Sequence, residues 1–357
     1  MSTPSQEHEL RFPWPQPPAA GEVQQVAEGV YWLRMPLPFS LDHINLYLLR
    51  HGEGWVVVDT GLAVPRSREV WERVFVELMD GQPVLAVVCT HFHFDHSGLA
   101  AWLSERFRCP LYMTRGEFQA LHVVPDGSEP GWEFCDFYRR AGLDDEQIAT
   151  LMPTIEGMRF DGGLPRSHRR LSEGQLLKIG SRHWRVVIAS GHSPEHACLL
   201  SEDDLLLISG DQVLPRITSS VLVGPTEPLA NSLGDWLDSI RRLRALPDEV
   251  LVLPAHERPF YGLHQRLYQL DQHHARHLET LVEHIEGSMT AAELRPLLFP
   301  RIKGAFDLLM SLGETLAHIH YLVEKGTLAR ELVDGAWRFR LTSTSARTGD
   351  LPEDIHV

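Results

Sequence analysis

Residues 84–98 of this chain read VLAVVCTHFHFDHSG, and they place four potential metal ligands directly after a short apolar run. The run Val84–Val88 is unbroken and rich in β-branched residues, which is typical of a buried strand. The potential ligands that follow are His91, His93, Asp95 and His96. A strand that is followed by so many histidine and aspartate side chains predicts a metal site at the end of a sheet.

The spacing within this motif predicts ligands that point in two directions. If the chain is extended or turning there, His91 and His93 project to the same side. Asp95 and His96 are then carried round by the turn towards a second point. One loop can therefore serve two neighbouring metal ions, and imidazole with carboxylate suits zinc, iron or manganese better than magnesium or calcium.

Three later apolar runs also stop at a residue that can bind metal. The stretches IASGH, LISGD and LPAH end at His192, Asp211 and His256. A lone pair of histidines is weak evidence for a metal site, because buried or surface histidines are common. Repetition of the same design in four places makes a chance cluster a poor explanation.

Taken in order, these motifs resemble those of the metallo-β-lactamase superfamily, over roughly residues 25–265. The matching positions are Asp59 in VVVDTG, the HxHxDH motif that begins at His91, His192 in SGHSPEH, Asp211 in SGD and His256 in PAHE. The resemblance implies an α/β fold, namely an αββα sandwich in which two mixed sheets pack face to face with helices outside.

The resemblance also implies a role for each residue of the site. One metal ion would be bound by His91, His93 and His192, a second by Asp95, His96 and His256, with Asp211 as the bridge between them. Asp59 would support the HxHxDH loop through hydrogen bonds. Two divalent ions, zinc first with iron or manganese as alternatives, would hold a bridging hydroxide that attacks an ester or thioester carbonyl. Asp95 would orient the nucleophile or carry a proton to the leaving group.

Three further residues receive expectations from their positions in the chain. His196 follows His192 by four residues, and we expect it to fix the orientation of a metal-binding imidazole. The alternative is that His196 simply begins a helix. Arg216 and Tyr261 follow the Asp211 and His256 strand ends, and we expect them to face the substrate pocket, although surface contacts explain them equally well.

The residues at particular positions of these motifs narrow the choice of subclass within the superfamily. His96 and Asp211 argue against the β-lactamases with a cysteine ligand, and His93 argues against the flavodiiron oxidoreductases, which have Glu there. The chain is more similar to the glyoxalase II-like branch, particularly the β-lactamase-like protein 2 group. That branch contains thioesterases and an endoribonuclease. We expect an ester or thioester hydrolase, with an RNA phosphodiesterase, a mononuclear-iron persulfide dioxygenase and a non-catalytic member as open alternatives.

The length of 357 residues predicts more than one domain, because single cores seldom exceed about 250–300 residues. We expect a Pro-rich arm over 1–24, a metallo-β-lactamase domain over 25–265 with a helical insertion at about 115–170, a winged-helix-like domain over 266–345, and a tail over 346–357. In the winged-helix-like domain, Thr290 and Glu293 predict a capping box, Thr315–Glu324 predicts a helix, and Asp334-Gly335 predicts a hairpin turn.

The charge of the chain disfavours an anionic partner. The 48 acidic and 33 basic residues give a net charge of −15, which opposes docking on nucleic acid or anionic lipid through a general electrostatic field. The C-terminal module has no basic excess, so it is expected to pack against the catalytic domain or a second subunit, which leaves a homodimer open. Scattered cysteines and the lack of a leader or long apolar run predict a cytoplasmic protein without a membrane partner. A small acyl substrate is what the resemblance implies.

Two groups of histidines in the C-terminal part fall outside these motifs. The stretch HHARH at 273–277 has a spacing that could hold a metal on one helix face. No carboxylate or thiolate accompanies it at that spacing, so we interpret it as a solvated histidine patch. His318 and His320 are two residues apart on a helix and should point away from each other. The sequence predicts no function for either group.

Overall fold

The computed structural model describes residues 10–123, 131–157 and 163–342, which fold as two compact units. The first unit contains residues 10–123, 163–219 and 241–267, and the second contains residues 131–157, 220–240 and 268–342. The predicted tail over 346–357 and the first nine residues of the predicted arm lie outside the described residues. The boundaries between the four segments expected from the sequence stay predictions.

The first unit contains a seven-stranded sheet whose strands lie side by side in chain order. They are β1 (Val23–Ala27), β2 (Val30–Pro36), β3 (His43–His51), β4 (Gly54–Val58), β5 (Val84–Val88), β6 (Leu111–Met113) and β7 (Arg169–Arg170). Strands β1 to β4 form the antiparallel meander predicted from their short β-branched and aromatic runs. Strands β4 to β7 pair in parallel, so β4, β5 and β6 end at the same edge of the sheet.

A five-stranded sheet completes the β structure of the first unit. Its strands, in spatial order, are β12 (Leu251–Pro254), β11 (Leu206–Gly210), β10 (His196–Ser201), β9 (Arg182–Ala189) and β8 (Leu176–Ile179). The β11–β12 pair is parallel and the other pairs are antiparallel. Both sheets are therefore mixed, as the expected sandwich requires.

Alternate residues of β3 enter two different apolar cores. Tyr47 and Leu49 pack with residues of the five-stranded sheet, including Trp184. Leu46 and Leu48 point to the opposite face of the large sheet. A strand buried on both faces has this period of two, so one core lies between the sheets and the other lies outside the large sheet.

Helices cover the outer face of the large sheet. They are α1 (Pro65–Glu77) and α3 (Ala100–Phe107), and their buried residues Trp71 and Leu103 belong to the outer core. The prediction of an α/β sandwich is confirmed by these layers. The short helix α2 (Phe94–Ser97) forms within the HxHxDH motif itself.

The predicted insertion at about 115–170 contains three helices in its described parts and ends in strand β7. It contains α4 (Arg115–Val123) in the first unit, and α5 (Trp132–Arg140) and α6 (Asp145–Gly157) in the second.

Among the described residues, no helix combines the length and apolar character that a bilayer span requires.

The remaining elements of the described residues are four helices, of which the last is longer than expected, and one hairpin. They are α7 (Ser232–Leu243), α8 (Leu263–His284), α9 (Ala291–Leu298), α10 (Ala305–Glu324), β13 (Leu328–Val333) and β14 (Ala336–Leu341). Both hydrogen bonds of the predicted capping box form between Thr290 and Glu293. The predicted turn is also present, with positive φ at Asp334 and Gly335, and the winged-helix assignment stays a prediction.

Helix α10 begins ten residues before the predicted start at Thr315. Gly313 lowers the helix propensity of this stretch, which is why the sequence suggested a shorter helix. In the structure the N–H of Val223 donates a hydrogen bond to the carbonyl oxygen of Gly313 at 3.1 Å. A Cβ atom at Gly313 would lie 3.1 Å from the carbonyl oxygen of Val223. The glycine therefore permits a close backbone approach along an otherwise continuous helix.

Candidate metal centre

Seven side chains of the first unit meet beyond the ends of four strands. His91, His93, Asp95 and His96 follow β5, and the others follow β9, β11 and β12. They form two groups, in each of which the ligand atoms lie within 4.8 Å of one another: His91, His93, His192 and Asp211, then Asp95, His96 and His256. The structure thus brings together all seven residues that the motifs proposed as ligands.

The first group consists of closely spaced lone-pair donors. His91 Nε2 lies 2.9 Å from His93 Nδ1 and 3.2 Å from His192 Nε2. His192 Nε2 in turn lies 3.5 Å from Asp211 Oδ2. Imidazole nitrogens converging with a carboxylate oxygen form the donor set of a first-row transition metal.

Asp211 contacts both groups through different oxygens. Its Oδ2 atom faces His192, whereas its Oδ1 atom lies 3.3 Å from His256 Nε2 and 3.5 Å from His96 Nε2. Asp95 completes the second group with an oxygen 3.6 Å from His256 Nε2. One carboxylate is therefore placed to share two metal ions.

The hydrogen bonds on the far side of the rings define which nitrogen faces the site. His96 Nδ1 lies 2.8 Å from Asp59 Oδ2, and His256 Nδ1 lies 2.9 Å from the carbonyl oxygen of His43. Both oxygens are acceptors, so each Nδ1 donates and each Nε2 presents a lone pair to the site. His91 follows the same rule, because the Thr90 hydroxyl donates to Asp59 and must accept from His91 Nδ1 at 3.0 Å.

Asp59 connects these contacts from a buried position in the left-handed region. Its φ is 62°, and one carboxylate accepts from the Thr90 N–H at 2.7 Å, the Thr90 hydroxyl at 2.9 Å and His96 Nδ1 at 2.8 Å. Non-glycine residues seldom adopt this conformation, although Asp and Asn tolerate it best. The backbone strain at Asp59 is thus repaid by three hydrogen bonds that position two ligand side chains.

The polar atoms at the centre fit the metal ions that the motif implies. His96 Nε2 and Asp211 Oδ1 are fully buried and have no hydrogen-bond partner among the described residues. Burial, reinforced by the neighbouring histidines, holds the pKa of His91 and of His93 well below the usual range, which keeps their lone pairs free. Buried polar atoms without partners are costly, and a pair of shared cations would satisfy these.

Glu117 of α4 supports both ligand loops and was missed by sequence reasoning. This buried carboxylate accepts from the Phe92 N–H at 3.0 Å, the Ser193 hydroxyl at 2.7 Å and the Glu195 N–H at 2.6 Å. Burial raises the pKa of Glu117 to about 7, although the three donors lower it. The signal was its place just after strand β6, because the other strand ends here also carry functional residues.

The structure gives different surroundings to the other predicted residues. His196 begins strand β10, so the helix-start alternative is wrong, and its Nε2 atom accepts from the Asp211 N–H at 3.1 Å. Tyr261 lies under the guanidinium of Arg11, 4.0 Å from its ring centroid, and Arg216 lies 5.7 Å from the ring of Phe12. These contacts are with the N-terminal segment, and the assignment of Arg216 and Tyr261 to substrate binding stays a prediction.

Comparison with known proteins agrees with this geometry. The sequence profile of the metallo-beta-lactamase superfamily matches residues 40–256, and that of the metallo-beta-lactamase-like C-terminal domain matches residues 278–342. A "Beta-lactamase domain protein" from Burkholderia ambifaria has a crystal structure with a TM-score of 0.86 and 42% identity, over 94% of this chain and 99% of that one.

Two curated relatives carry the name of an activity. The acyl-coenzyme A thioesterase MBLAC2 of Homo sapiens is 27% identical over 269 residues, which are 69% of this chain and 84% of that protein. The atrochrysone carboxyl ACP thioesterase dmxR1 of Cryptosporiopsis sp. (strain 8999) is 23% identical, over 64% of this chain and 54% of that protein.

Proposed function

The chain belongs to the metallo-β-lactamase superfamily and is a metallo-hydrolase, and we propose that its substrate is an acyl thioester. Hydrolysis is supported by Asp211, whose two oxygens each face a different ligand group. The choice of a thioester is supported by the names of the relatives, one with coenzyme A as the acyl carrier and one with an acyl carrier protein. We infer that the thioester carbonyl is the group that both types of substrate present to the site.

In this proposal the two groups each hold one divalent ion, with Asp211 between them. When bound, such ions polarise a carbonyl and make hydroxide available near neutral pH. Zinc is our first choice because nitrogen and carboxylate ligands suit it, and iron and manganese accept the same donors. His91, His96 and His256 keep fixed tautomers through Thr90, Asp59 and the His43 carbonyl.

We assign the proton transfer to Asp95. Its side chain is 16% exposed, whereas that of His96 beside it is fully buried, so Asp95 is accessible from the solvent side of the site. The carboxylate can accept a proton from the attacking water and pass it to the sulfur of the departing thiol. His91 and His93 are unsuited to this role, because burial disfavours their protonated forms.

A substrate panel with a matched pair of variants tests the proposal. Zinc-loaded full-length protein should release free thiol from acyl-coenzyme A or acyl carrier protein substrates. Asp95→Asn should reduce kcat by about 10²–10⁴-fold, which is the usual contribution of a positioned acid or base. Asp80→Asn, at an exposed aspartate of the same unit, should leave kcat unchanged.

Other substrates provide the outcomes that would reject the thioester. Cleavage of single-stranded RNA that depends on Asp95, without thiol release, would identify a phosphodiesterase. Oxygen uptake with a persulfide, measured on iron-loaded protein because zinc has no redox chemistry, would identify a dioxygenase instead. Thiol release that is insensitive to Asp95→Asn would refute the role of Asp95 but would preserve the substrate class.

A further inference from the structure

The second unit contains a cluster of histidines and a carboxylate that the sequence did not reveal. His273 and His274 of α8 and Glu314 of α10 offer ligand atoms that lie within 4.8 Å of one another. The interpretation of residues 273–277 as a solvated patch is therefore wrong in two respects. His274 is fully buried, and the carboxylate that seemed to be missing comes from another helix.

The hydrogen bonds around His274 define its tautomer. His318 Nδ1 lies 2.8 Å from the carbonyl oxygen of Glu314, which can only accept, so His318 Nδ1 donates. Because neutral imidazole has a single N–H, His318 Nε2 is an acceptor, and His274 Nδ1 at 3.1 Å donates to it. His274 Nε2 is thus left with a bare lone pair.

That lone pair has no partner in the part of the chain that the structure describes. His274 Nε2 is fully buried and makes no hydrogen bond with any described residue. The nitrogen does not gain a proton instead, because burial first, and the neighbouring histidines second, hold the pKa of His274 well below its usual range. A buried acceptor in this state loses its hydration without compensation.

The arrangement repeats the pattern of the metal centre in the first unit. There, His96 donates through Nδ1 to a fixed acceptor, and its Nε2 atom is buried without a partner. His274 has the same two properties. Its Nδ1 atom donates to His318, and His318 in turn donates to the carbonyl oxygen of Glu314. Fixing the far nitrogen in this way is how proteins orient an imidazole towards a metal.

We propose that His273, His274 and Glu314 form a third metal site, which binds a zinc-type divalent ion and links α8 to α10. Two imidazoles and one carboxylate are a common protein donor set for zinc, with a fourth position left open. His277 is adjacent, with its ring centroid 4.3 Å from that of His273, and its Nδ1 atom is also buried without a partner. His277 thus borders the cluster and is not one of the three residues whose ligand atoms converge.

Metal binding in full-length protein whose first centre has been disabled tests the proposal. Substituting His91→Ala, Asp211→Ala and His256→Ala together leaves only two ligands in each group of the first unit and should remove its ions. Calorimetric titration with zinc chloride and elemental analysis after gel filtration should then still give one zinc ion per chain. Adding Glu314→Gln should weaken this binding by about 100-fold or more, because it removes a ligand charge and not only an orienting contact.

Matched variants separate a lost ligand from a general disturbance. Glu324→Gln changes an exposed carboxylate at the end of the same helix and should leave zinc binding unaltered. His318→Gln should weaken binding by about 10–100-fold, as the loss of an orienting contact usually does. Circular dichroism on each variant verifies that the helices are retained.

Two results would overturn the site. One is a disabled chain that binds no zinc while its helices are intact, which would mean that a water molecule or a proton satisfies His274. The other is zinc binding of equal affinity in the Glu314→Gln and Glu324→Gln chains, which would place the ion elsewhere.

Discussion

At the scale of single residues, the support behind the ligands matters as much as the ligands. Asp59 and Thr90 touch no proposed metal position, yet together they set the nitrogen that His91 and His96 present. Glu117 joins the loops that carry His93 and His192 through their neighbours Phe92 and Ser193. Substitutions at these residues should therefore act on metal affinity before they act on the fold.

Asp59→Asn is the sharpest test of this view. Asn tolerates the left-handed φ of 62°, so the backbone can stay as it is. An amide has one acceptor oxygen where the carboxylate has two, so the contacts to His96 and Thr90 cannot all be kept. We expect zinc affinity at the first centre to fall by about 10–100-fold, measured by competition with a chromogenic chelator.

Asp80→Asn is the control for that substitution. Asp80 also has a positive φ, of 50°, but it is exposed and belongs to none of the ligand motifs. The Asp80→Asn substitution should leave the affinity of the first centre for zinc unchanged. A similar loss in both variants would show that backbone conformation, and not the contacts of the carboxylate, governs metal binding.

At the scale of elements, the sheet ends determine where the chemistry lies. The parallel pair β11–β12 leads to Asp211 and His256, and the Ala255 N–H donates to the Gly210 carbonyl at 3.0 Å just before both ligands. Gly210 has a φ of 51°, and a Cβ there would lie 2.4 Å from His196 Nε2. The close approach of His196 to this turn therefore requires glycine.

Gly210→Ala should consequently be costly in two ways. The left-handed backbone costs about 1–2 kcal/mol for a residue with a Cβ, and the clash with His196 adds about 1–3 kcal/mol of overpacking. Gly52→Ala separates these effects, because Gly52 has a similar φ of 56° and nothing within 4 Å of its Cβ position. Urea unfolding should show the larger loss for Gly210→Ala, and equal losses would refute the clash.

The sequence revealed most of what depends on local pattern. The HxHxDH motif, the strands that end in ligands and the capping box at Thr290 could all be found, because each is written in a few consecutive residues. Glu117 and Glu314 were missed, since each acts on residues far away in the chain that only the folded structure brings close. Helical periodicity in residues 273–277 describes one helix face and gives no information about what packs on it.

At the scale of the whole molecule, metal binding and stability should be linked. The ligands of the first unit come from strands of both sheets, so bound ions join segments that the unfolded chain separates. A ligand that binds only the folded state stabilises it by about 4 kcal/mol at a thousand times its Kd. Removal of metal should therefore lower the thermal midpoint of unfolding.

Dialysis against a chelator, followed by calorimetry, measures this effect. Zinc added back should restore the midpoint in the wild-type chain and in Glu314→Gln, whose first centre is intact. The chain with His91→Ala, Asp211→Ala and His256→Ala should recover only the part that belongs to the second unit. A midpoint that is insensitive to the chelator in every chain would contradict the linkage.

The dispersal of the ligands also has a consequence for biosynthesis. About 165 residues separate His91 from His256, and synthesis of that stretch takes about 10–30 s at about 5–20 residues per second. A nascent chain on the ribosome thus exposes the HxHxDH segment well before its last partner exists. Loading of the complete centre must follow release of residue 256 from the exit tunnel, so the availability of metal to newly made chains sets when the enzyme first becomes active.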